Sequence, residues 1–189
     1  GLSIEAVDGH WSDITVAGVT FHGFRVAVQA IPESTFTGPS TAYCSQQFLS
    51  GGSLSGLVLS DNRFENSALG VQTLGAVRDT ELAGNTFEAV QNPFRAFGGP
   101  DWPFSCRNDD GSGASFEVTS PTGVSIRDNS MLAAGPRPPF YGILFGGVAG
   151  RTAIRGNGID GLWGSVLTAV AAGTGRVGQV TRGDRSRPR

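Results

Sequence analysis

The residues best suited to chemistry are His22, Glu65 and Glu88, each of which directly follows a phenylalanine. If these positions face water on neighbouring turns of a repeat, the two carboxylates stand about 5 Å apart. At that separation like charges raise the pKa of one carboxyl, and retaining glycosidases hold their two carboxylates at a similar distance. His22 would add a base or a metal ligand. The alternative is a corner that takes polar residues only because it faces water, since Leu132 interrupts the series before Asp160.

A second candidate set consists of Arg127 and Arg155, which fall on consecutive repeats once an insertion between them is discounted. Stacked guanidinium groups repel each other unless an anion lies across them, so this pair predicts a carboxylated sugar as ligand. Asp128, Glu117 or solvent could neutralise the arginines equally well. The chain contains no lysine, which excludes Schiff-base chemistry and any lysine-dependent lyase mechanism.

The signals for a metal ion are weak. An acidic loop with Asp109 and Asp110 could hold calcium, but it lacks the spaced ligands of a calcium motif and could equally be a solvated turn. The two cysteines, Cys44 and Cys106, are too isolated in sequence for a zinc site. No other metal or cofactor is predicted.

The elements that must position these residues come from a repeat. Four segments share one template, in which an apolar–x–apolar strand is followed by a small turn residue, an asparagine and, two residues later, a large apolar residue. A weaker copy, residues 14–21, lacks only the asparagine. Such self-similarity outweighs any local propensity, and the shortest interval, from Phe64 to Phe87, is 23 residues. The four segments are residues 57–64, 80–87, 124–131 and 152–159, with Asn62, Asn85, Asn129 and Asn157 in the equivalent position.

A unit of this length with short strands and glycine-rich corners predicts an all-β solenoid. Period-two alternation points Leu57 and Leu59 inward. The four asparagine amides would stack about 4.8 Å apart as an asparagine ladder. A leucine-rich repeat has a similar period, but it requires a leucine grid and helical return segments that this chain lacks. The residues before the asparagine position tolerate left-handed backbone angles and mark sharp bends: Gly18, Asp61, Gly84, Asp128 and Gly156.

On these residues the chain resembles the right-handed parallel β-helix repeat family, the pectate-lyase-like superfamily, over roughly residues 10–170. The resemblance implies a single-stranded right-handed parallel β-helix of about five to six coils. Polygalacturonase-like members carry an Asn-Thr-Asp strand, an Asp-Asp pair, Gly-His-Gly and Arg-x-Lys, whereas here Phe87 follows Asn85-Thr86 and Trp11 follows Gly9-His10. Pectate-lyase-like members pair calcium carboxylates with arginine and lysine. Neither set is complete, so the sequence leaves open whether the chain is an enzyme.

Two long insertions, about residues 31–56 and 98–122, leave the repeat at equivalent positions, and loops on a rigid scaffold often bind ligands. Their aromatic residues include Tyr43 and Trp102, which either stack on sugar rings or cover the core beneath the loops. Each insertion also contains one cysteine. Cys44 and Cys106 either form a disulfide between the loops or stay unpaired, and a disulfide would indicate an extracellular or periplasmic protein.

The predicted domain is the β-helix over residues 1–175, followed by a tail, residues 176–189, whose five arginines accompany a single Asp184. We expect this tail to be disordered and to be either a solvated end or a tether for a polyanion. Because strand-forming residues begin directly after Gly1, we expect the chain to be a piece of a longer solenoid. No apolar run approaches the roughly 18 residues of a membrane span.

The sequence therefore favours a module that binds carbohydrate, with acidic polysaccharide as one option, or a protein partner, through its outward strand face and two loops. A fragment of a polysaccharide lyase, epimerase or glycoside hydrolase that uses Glu65, Glu88 and His22 is the first alternative. A structural adhesin or phage tail-fibre segment is the second. Nucleic acid is not predicted as a partner.

Overall fold

The structure is a computed structural model that describes residues 1–6, 9–31, 52–98, 104–107, 113–116, 119–132, 141–147, 149–160 and 164–169. Within these ranges the chain forms twenty β-strands and no helix. This part of the chain accordingly offers no long apolar helix that could cross a membrane. The strands are β1 (Leu2–Ile4), β2 (His10–Ser12), β3 (Thr15–Ala17), β4 (Thr20–His22), β5 (Val26–Ala30), β6 (Ser53–Ser55), β7 (Val58–Ser60), β8 (Arg63–Glu65), β9 (Leu69–Leu74), β10 (Val77–Ala83), β11 (Thr86–Glu88), β12 (Asn92–Phe97), β13 (Phe104–Arg107), β14 (Gly113–Phe116), β15 (Thr122–Arg127), β16 (Ser130–Leu132), β17 (Tyr141–Gly146), β18 (Ala149–Arg155), β19 (Gly158–Asp160) and β20 (Gly164–Ala169).

Eighteen of these strands pair into three sheets, which we call sheets A, B and C. Sheet A has the order β1-β5-β9-β12-β17-β20, and sheet C has the order β19-β16-β11-β8-β4. Sheet B has the order β18-β15-β10-β6-β2, and in the same sheet β7 also pairs with β10 and β3 pairs with β7. All pairs in the three sheets are parallel, and the chain visits the sheets in the repeating order B, C and A. We call one such passage a rung. The all-β class and the parallel stacking agree with the predicted solenoid.

Strand pairing confirms the register that the repeat predicts. In sheet C, Phe21 pairs with Phe64, Phe64 with Phe87, Phe87 with Met131, and Met131 with Ile159. The rings of Phe21 and Phe64 stack at a centroid distance of 5.1 Å, and those of Phe64 and Phe87 at 4.6 Å. Phe64, Phe87 and Met131 are completely buried. The recurring large apolar residue therefore forms one continuous column of the core.

The alternation predicted within the strands is also present. Leu57 and Leu59 are completely buried, whereas Val58 and Ser60 between and after them are only half-buried. Val124 and Ile126 occupy the same inward positions two rungs later and are likewise buried. Each short strand thus contributes its apolar side to the shared interior and its other side to the surface.

The asparagines form a continuous buried ladder. Nδ2 of Asn62 donates to Oδ1 of Asn85 at 3.0 Å, Nδ2 of Asn85 to Oδ1 of Asn129 at 2.9 Å, and Nδ2 of Asn129 to Oδ1 of Asn157 at 2.9 Å. The backbone N–H groups of Asn62, Asn85 and Asn129 donate to the same oxygens. Because Val19 takes this position in the first rung, its backbone N–H donates to Oδ1 of Asn62 and the amide ladder ends there.

The bends before these positions have left-handed backbone angles, as the sequence predicts. The φ angles are 66° at Gly18, 53° at Asp61, 65° at Gly84, 56° at Asp128 and 65° at Gly156. Glycine and aspartate alternate along this column from rung to rung. The alternation has a steric reason, because a Cβ added to Gly84 would lie 2.6 Å from Oδ1 of Asp61. Each aspartate side chain therefore lies against the glycine of the following rung.

A second column of bends, in sheet B, repeats this arrangement with Asp13, Gly56, Asp79 and Gly123, all at positive φ. A Cβ on Gly56 would lie 3.1 Å from Oδ1 of Asp13, and one on Gly123 would collide with Oδ1 of Asp79. Two independent columns thus use the same alternation. The aspartates supply the turn, and the glycines leave room for their carboxylates.

The insertions differ from their predicted form in two ways. Strand β6 pairs with β2 as part of sheet B, so the first insertion ends before residue 53 rather than near residue 56. The second insertion contains a hairpin, in which β13 and β14 pair antiparallel in a sheet of their own. The repeat template could not indicate either feature, because β6 precedes the template segment and the hairpin strands pair only with each other.

Candidate functional site

The candidate residues on sheet C lie in one outward column. His22 pairs with Glu65, Glu65 with Glu88, Glu88 with Leu132, and Leu132 with Asp160, as the spacing predicts. Nδ1 of His22 lies 3.1 Å from Oε2 of Glu65. The structure therefore brings together the three residues proposed for acid–base chemistry, on the exposed side of strands β4, β8 and β11.

Arg63, which the sequence analysis did not select, lies among these residues. Its Nη2 donates to Oε2 of Glu88 at 2.8 Å, and its Nε donates to Oε1 of Glu65. Arg63 and Glu65 are two residues apart on β8, so both side chains point outward from the buried Phe64 between them. That spacing was the available signal in the sequence.

The ion pairs reverse the predicted electrostatics of Glu65. Hydrogen bonding from Arg63, with a further contribution from His22, holds the pKa of the Glu65 carboxyl below its ordinary value. The expectation that repulsion between Glu65 and Glu88 raises a pKa is therefore wrong for Glu65, because a cation separates the two anions. A glycosidase general acid needs a raised pKa, and Glu65 is instead a persistent anion at neutral pH.

The second candidate set lies on the outward side of sheet B. Arg127 on β15 pairs in register with Arg155 on β18, as predicted. Arg127 is engaged by anions of the protein itself, since its Nε and Nη2 donate to Oε1 of Glu81 at 2.9 Å and 2.5 Å and its Nη1 donates to Oδ2 of Asp128 at 3.4 Å. Asp128 was among the expected partners, whereas Glu81 was not. Its neighbouring position on β10 was the signal for it.

Arg155 has a different environment. It is exposed, and it forms no ion pair with any residue in the described part of the chain. It lies at the end of β18, next to an open groove of about 620 Å³ on the outer side of sheet B. The residues that line the groove are Gly123, Val124, Ser125, Gly150, Arg151, Thr152 and Ala153.

A β-bulge shapes one end of this groove. The pairing of β15 with β18 shifts between Thr122 and Val124, because Ala149 is opposite Thr122 while Thr152 is opposite Val124. Strand β18 thus has one residue more than β15 in this stretch, and Arg151 lies within it. Bulges redirect side chains and are frequent beside functional sites. Sequence reasoning missed Arg151, because the insertion before this rung concealed its register.

Several predicted site residues lie outside the described residues. These are Tyr43, Trp102, Asp109, Asp110, Glu117, Cys44 and the tail 176–189. The predicted disulfide between Cys44 and Cys106 and the possible calcium site therefore stay predictions. Within the described ranges, no group of three or more histidine, cysteine, aspartate and glutamate residues is placed to hold a metal ion.

In comparisons with known proteins, no family model, curated protein or solved structure matches the chain. The structure defines the class of protein, which is an all-β chain of parallel strands stacked in three sheets and compatible with a parallel β-helix. Its function must be inferred from the two outward columns and the groove.

Proposed function

We propose that this chain is a right-handed parallel β-helix module, similar to the pectate-lyase-like superfamily, that binds polysaccharide on the outer side of sheet B. The repeated visits to three parallel sheets, the left-handed bends and the asparagine ladder support the proposed fold. A rigid stack of this kind presents a long flat surface, which suits an extended polymer better than a compact small molecule.

The observation that carries the proposal is the groove along β15 and β18 with Arg155 beside it. Its lining includes Gly123, Ser125, Gly150 and Ala153, whose short or absent side chains leave the surface accessible to a sugar ring. Arg155 is exposed and has no described anionic partner. A guanidinium group binds carboxylates in a bidentate manner, so acidic polysaccharide is the preferred ligand. The contribution of Tyr43 and Trp102 and an extracellular or periplasmic setting belong to the same proposal.

The alternative is a fragment of a polysaccharide lyase, epimerase or glycoside hydrolase that uses His22, Glu65 and Glu88. These residues form an ion-paired network with Arg63, in which Glu65 has a lowered pKa rather than the raised pKa of a general acid. The network favours a role in holding neighbouring rungs together. We therefore place binding on sheet B ahead of catalysis on sheet C.

A panel of acidic and neutral polysaccharides tests the proposal, with binding measured by affinity electrophoresis and calorimetry. Ala153→Trp should obstruct the groove and weaken binding at least about tenfold, since the lost contacts and the steric conflict each cost on the order of 1 kcal/mol. Ala17→Trp is the matched control, because Ala17 is also exposed on sheet B but lies on β3. Absence of binding to every polysaccharide, or equal losses in both variants, would contradict the proposal.

The same panel separates binding from catalysis. Each polysaccharide is assayed for new reducing ends and for the absorbance of unsaturated uronides. We expect binding without turnover, and we expect Glu65→Gln/Glu88→Gln to bind as the unmodified chain does. Turnover that disappears in this double variant would instead support the enzyme alternative.

A further inference from the structure

Two arginines of β18 are close to the groove, since Arg151 lines it and Arg155 follows the lining residue Ala153 by two positions. Arg151, Ala153 and Arg155 are exposed, whereas Thr152 is half-buried and Ile154 is buried. Exposure alternates from residue 151 to residue 155, so the side chain of Arg151, at the end of the bulge, extends from the same side of β18 as that of Arg155. Neither arginine forms an ion pair with a residue that the structure describes.

The surface between the two arginines is small and neutral. Four residues of extended strand place their Cα atoms about 13 Å apart, which is more than one pyranose ring spans. Ala153 lies midway between them, and Ser125 is its partner on β15. None of the described residues that line the groove is acidic. The two cationic ends are thus separated by a floor on which uncharged sugar can rest.

We propose that Arg151 and Arg155 are the two ends of one subsite, which holds a polysaccharide with acidic groups on non-adjacent sugars, aligned along β18. Each guanidinium binds one carboxylate or sulfate, and the intervening sugar lies over Ala153 and Ser125. This inference rests on the proposed function and adds to it the spacing of the charges and the direction of the ligand.

The proposed direction of the glycan follows from the ion pairing of the arginines, since Arg127 is paired and Arg151 and Arg155 have no described anionic partner. A glycan that ran across the rungs would meet Arg155 and then Arg127, its partner in register. Arg127 already donates to Glu81 and Asp128, so an incoming carboxylate would have to displace an intramolecular one. A glycan along β18 meets Arg151 and Arg155, which have no described anion to release. Binding of the glycan along β18 therefore requires less desolvation and breaks no ion pair of the protein.

The test compares two tetrasaccharides by calorimetry. One is a tetragalacturonide with all carboxylates free, and the other is the same backbone with a single free carboxylate and the rest methyl-esterified. Variants are Arg151→Gln, Arg155→Gln and the double variant, and Arg25→Gln on another part of the surface is the control because Arg25 is also exposed. Thermal unfolding of each variant establishes that the fold is retained.

For the fully charged tetrasaccharide we expect each single variant to raise Kd about three- to fivefold and the double variant about ten- to twentyfold, with Arg25→Gln unchanged. For the singly charged tetrasaccharide the double variant should lose no more than the larger single effect, since only one arginine can be engaged at a time. A heparin-derived tetrasaccharide distinguishes sulfate from carboxylate as the acidic group.

Three results would overturn the inference. If the fully charged ligand binds and neither arginine affects its Kd, the subsite is wrong while the proposed function stands. If single-stranded polynucleotide binds through both arginines more tightly than any glycan does, the ligand class is wrong. If no polysaccharide binds in the earlier panel, the proposed function itself fails.

Discussion

Replacement of Asn85 by alanine is the sharpest test of how the fold is held together. Asn85 is buried in the middle of the ladder and makes four side-chain hydrogen bonds. Its Oδ1 accepts from the backbone N–H and from Nδ2 of Asn62, both at 3.0 Å. Its Nδ2 donates to the carbonyl of Leu59 at 2.8 Å and to Oδ1 of Asn129 at 2.9 Å.

The expected loss depends on which groups keep another partner. Nδ2 of Asn62 retains the carbonyl of Val16 at 2.8 Å, and Oδ1 of Asn129 retains the backbone N–H of residue 85 at 2.9 Å. The backbone N–H of Asn62 and the carbonyl of Leu59 lose the Asn85 side chain. The carbonyl of Leu59 keeps a backbone N–H of β10 through the pairing of β7 with β10, so of these two groups only the N–H of Asn62 is left unsatisfied. One buried group left unsatisfied costs about 1–3 kcal/mol and the lost bond to Leu59 about 1 kcal/mol, so Asn85→Ala should lower the free energy of unfolding by about 3 kcal/mol. The free energy of unfolding of a typical domain is only about 5–15 kcal/mol.

Asn62→Ala is the matched control at the end of the same ladder. Its Oδ1 accepts from the backbone N–H of Val19, a residue that is 40% exposed and can bond to water instead. We therefore expect a smaller loss of about 1–2 kcal/mol, close to that of an ordinary hydrogen bond. Both values are measured by urea unfolding with linear extrapolation, under the condition that the m-value is unchanged. A loss in Asn85→Ala no larger than that in Asn62→Ala would refute the claim that burial makes the inner amides irreplaceable.

Two further predictions concern the bends and the network on sheet C. Gly84→Ala should lower the free energy of unfolding measured in urea by about 2–3 kcal/mol, because left-handed backbone strain of about 1–2 kcal/mol adds to the conflict with Asp61. Gly18→Ala is the control, since Gly18 has nearly the same φ but open space around it, and it should show the backbone strain alone. Equal losses in the two variants would contradict the steric role of Asp61. Arg63 makes the pKa of Glu65 lower in the folded chain than in the unfolded chain. The ion pair therefore stabilises the fold at pH values above the unfolded-state pKa of Glu65, and this stabilisation is lost as the pH falls through the folded-state pKa. Thermal midpoints measured from pH 6 to about pH 2 should therefore converge between the unmodified chain and Glu65→Gln below about pH 4, and a constant difference would count against the ion pair.

The fold could be predicted from the sequence because the repeat places the same residue types at equivalent positions several times. Asn62, Asn85, Asn129 and Asn157 recur at one template position, and only a stack of equivalent turns brings them into hydrogen-bond contact. The large apolar residue two positions later predicted the stacked column of the core in the same way, because it also recurs in every copy. The hairpin of β13 and β14 had no such support, since its strands have no counterparts in other rungs.

The candidate site was less predictable, because its chemistry depends on single residues that do not recur. The template correctly placed Glu65 beside Glu88, but it gave no information about the cation between them, since Arg63 has no arginine at the equivalent position of the next rung. Glu81 reaches Arg127 diagonally across two strands, a contact that depends on side-chain length rather than on register. Arg151 required knowledge of the bulge in β18, which exists only in three dimensions.

The alternation of glycine and aspartate along the bend columns restricts how such a chain can change length. Removal of the rung that contains Gly84 would bring Asp61 directly beneath Asp128, where a Cβ and a second carboxylate would occupy the space that Gly84 now leaves. Removal of two consecutive rungs would restore an acceptable neighbour at every bend of the column. The second column has the opposite phase, so removal of the rung that contains Asp61 would likewise bring Asp13 against Asp79. Deletion of either one of these two rungs should therefore destabilise the solenoid, whereas deletion of both together should be tolerated.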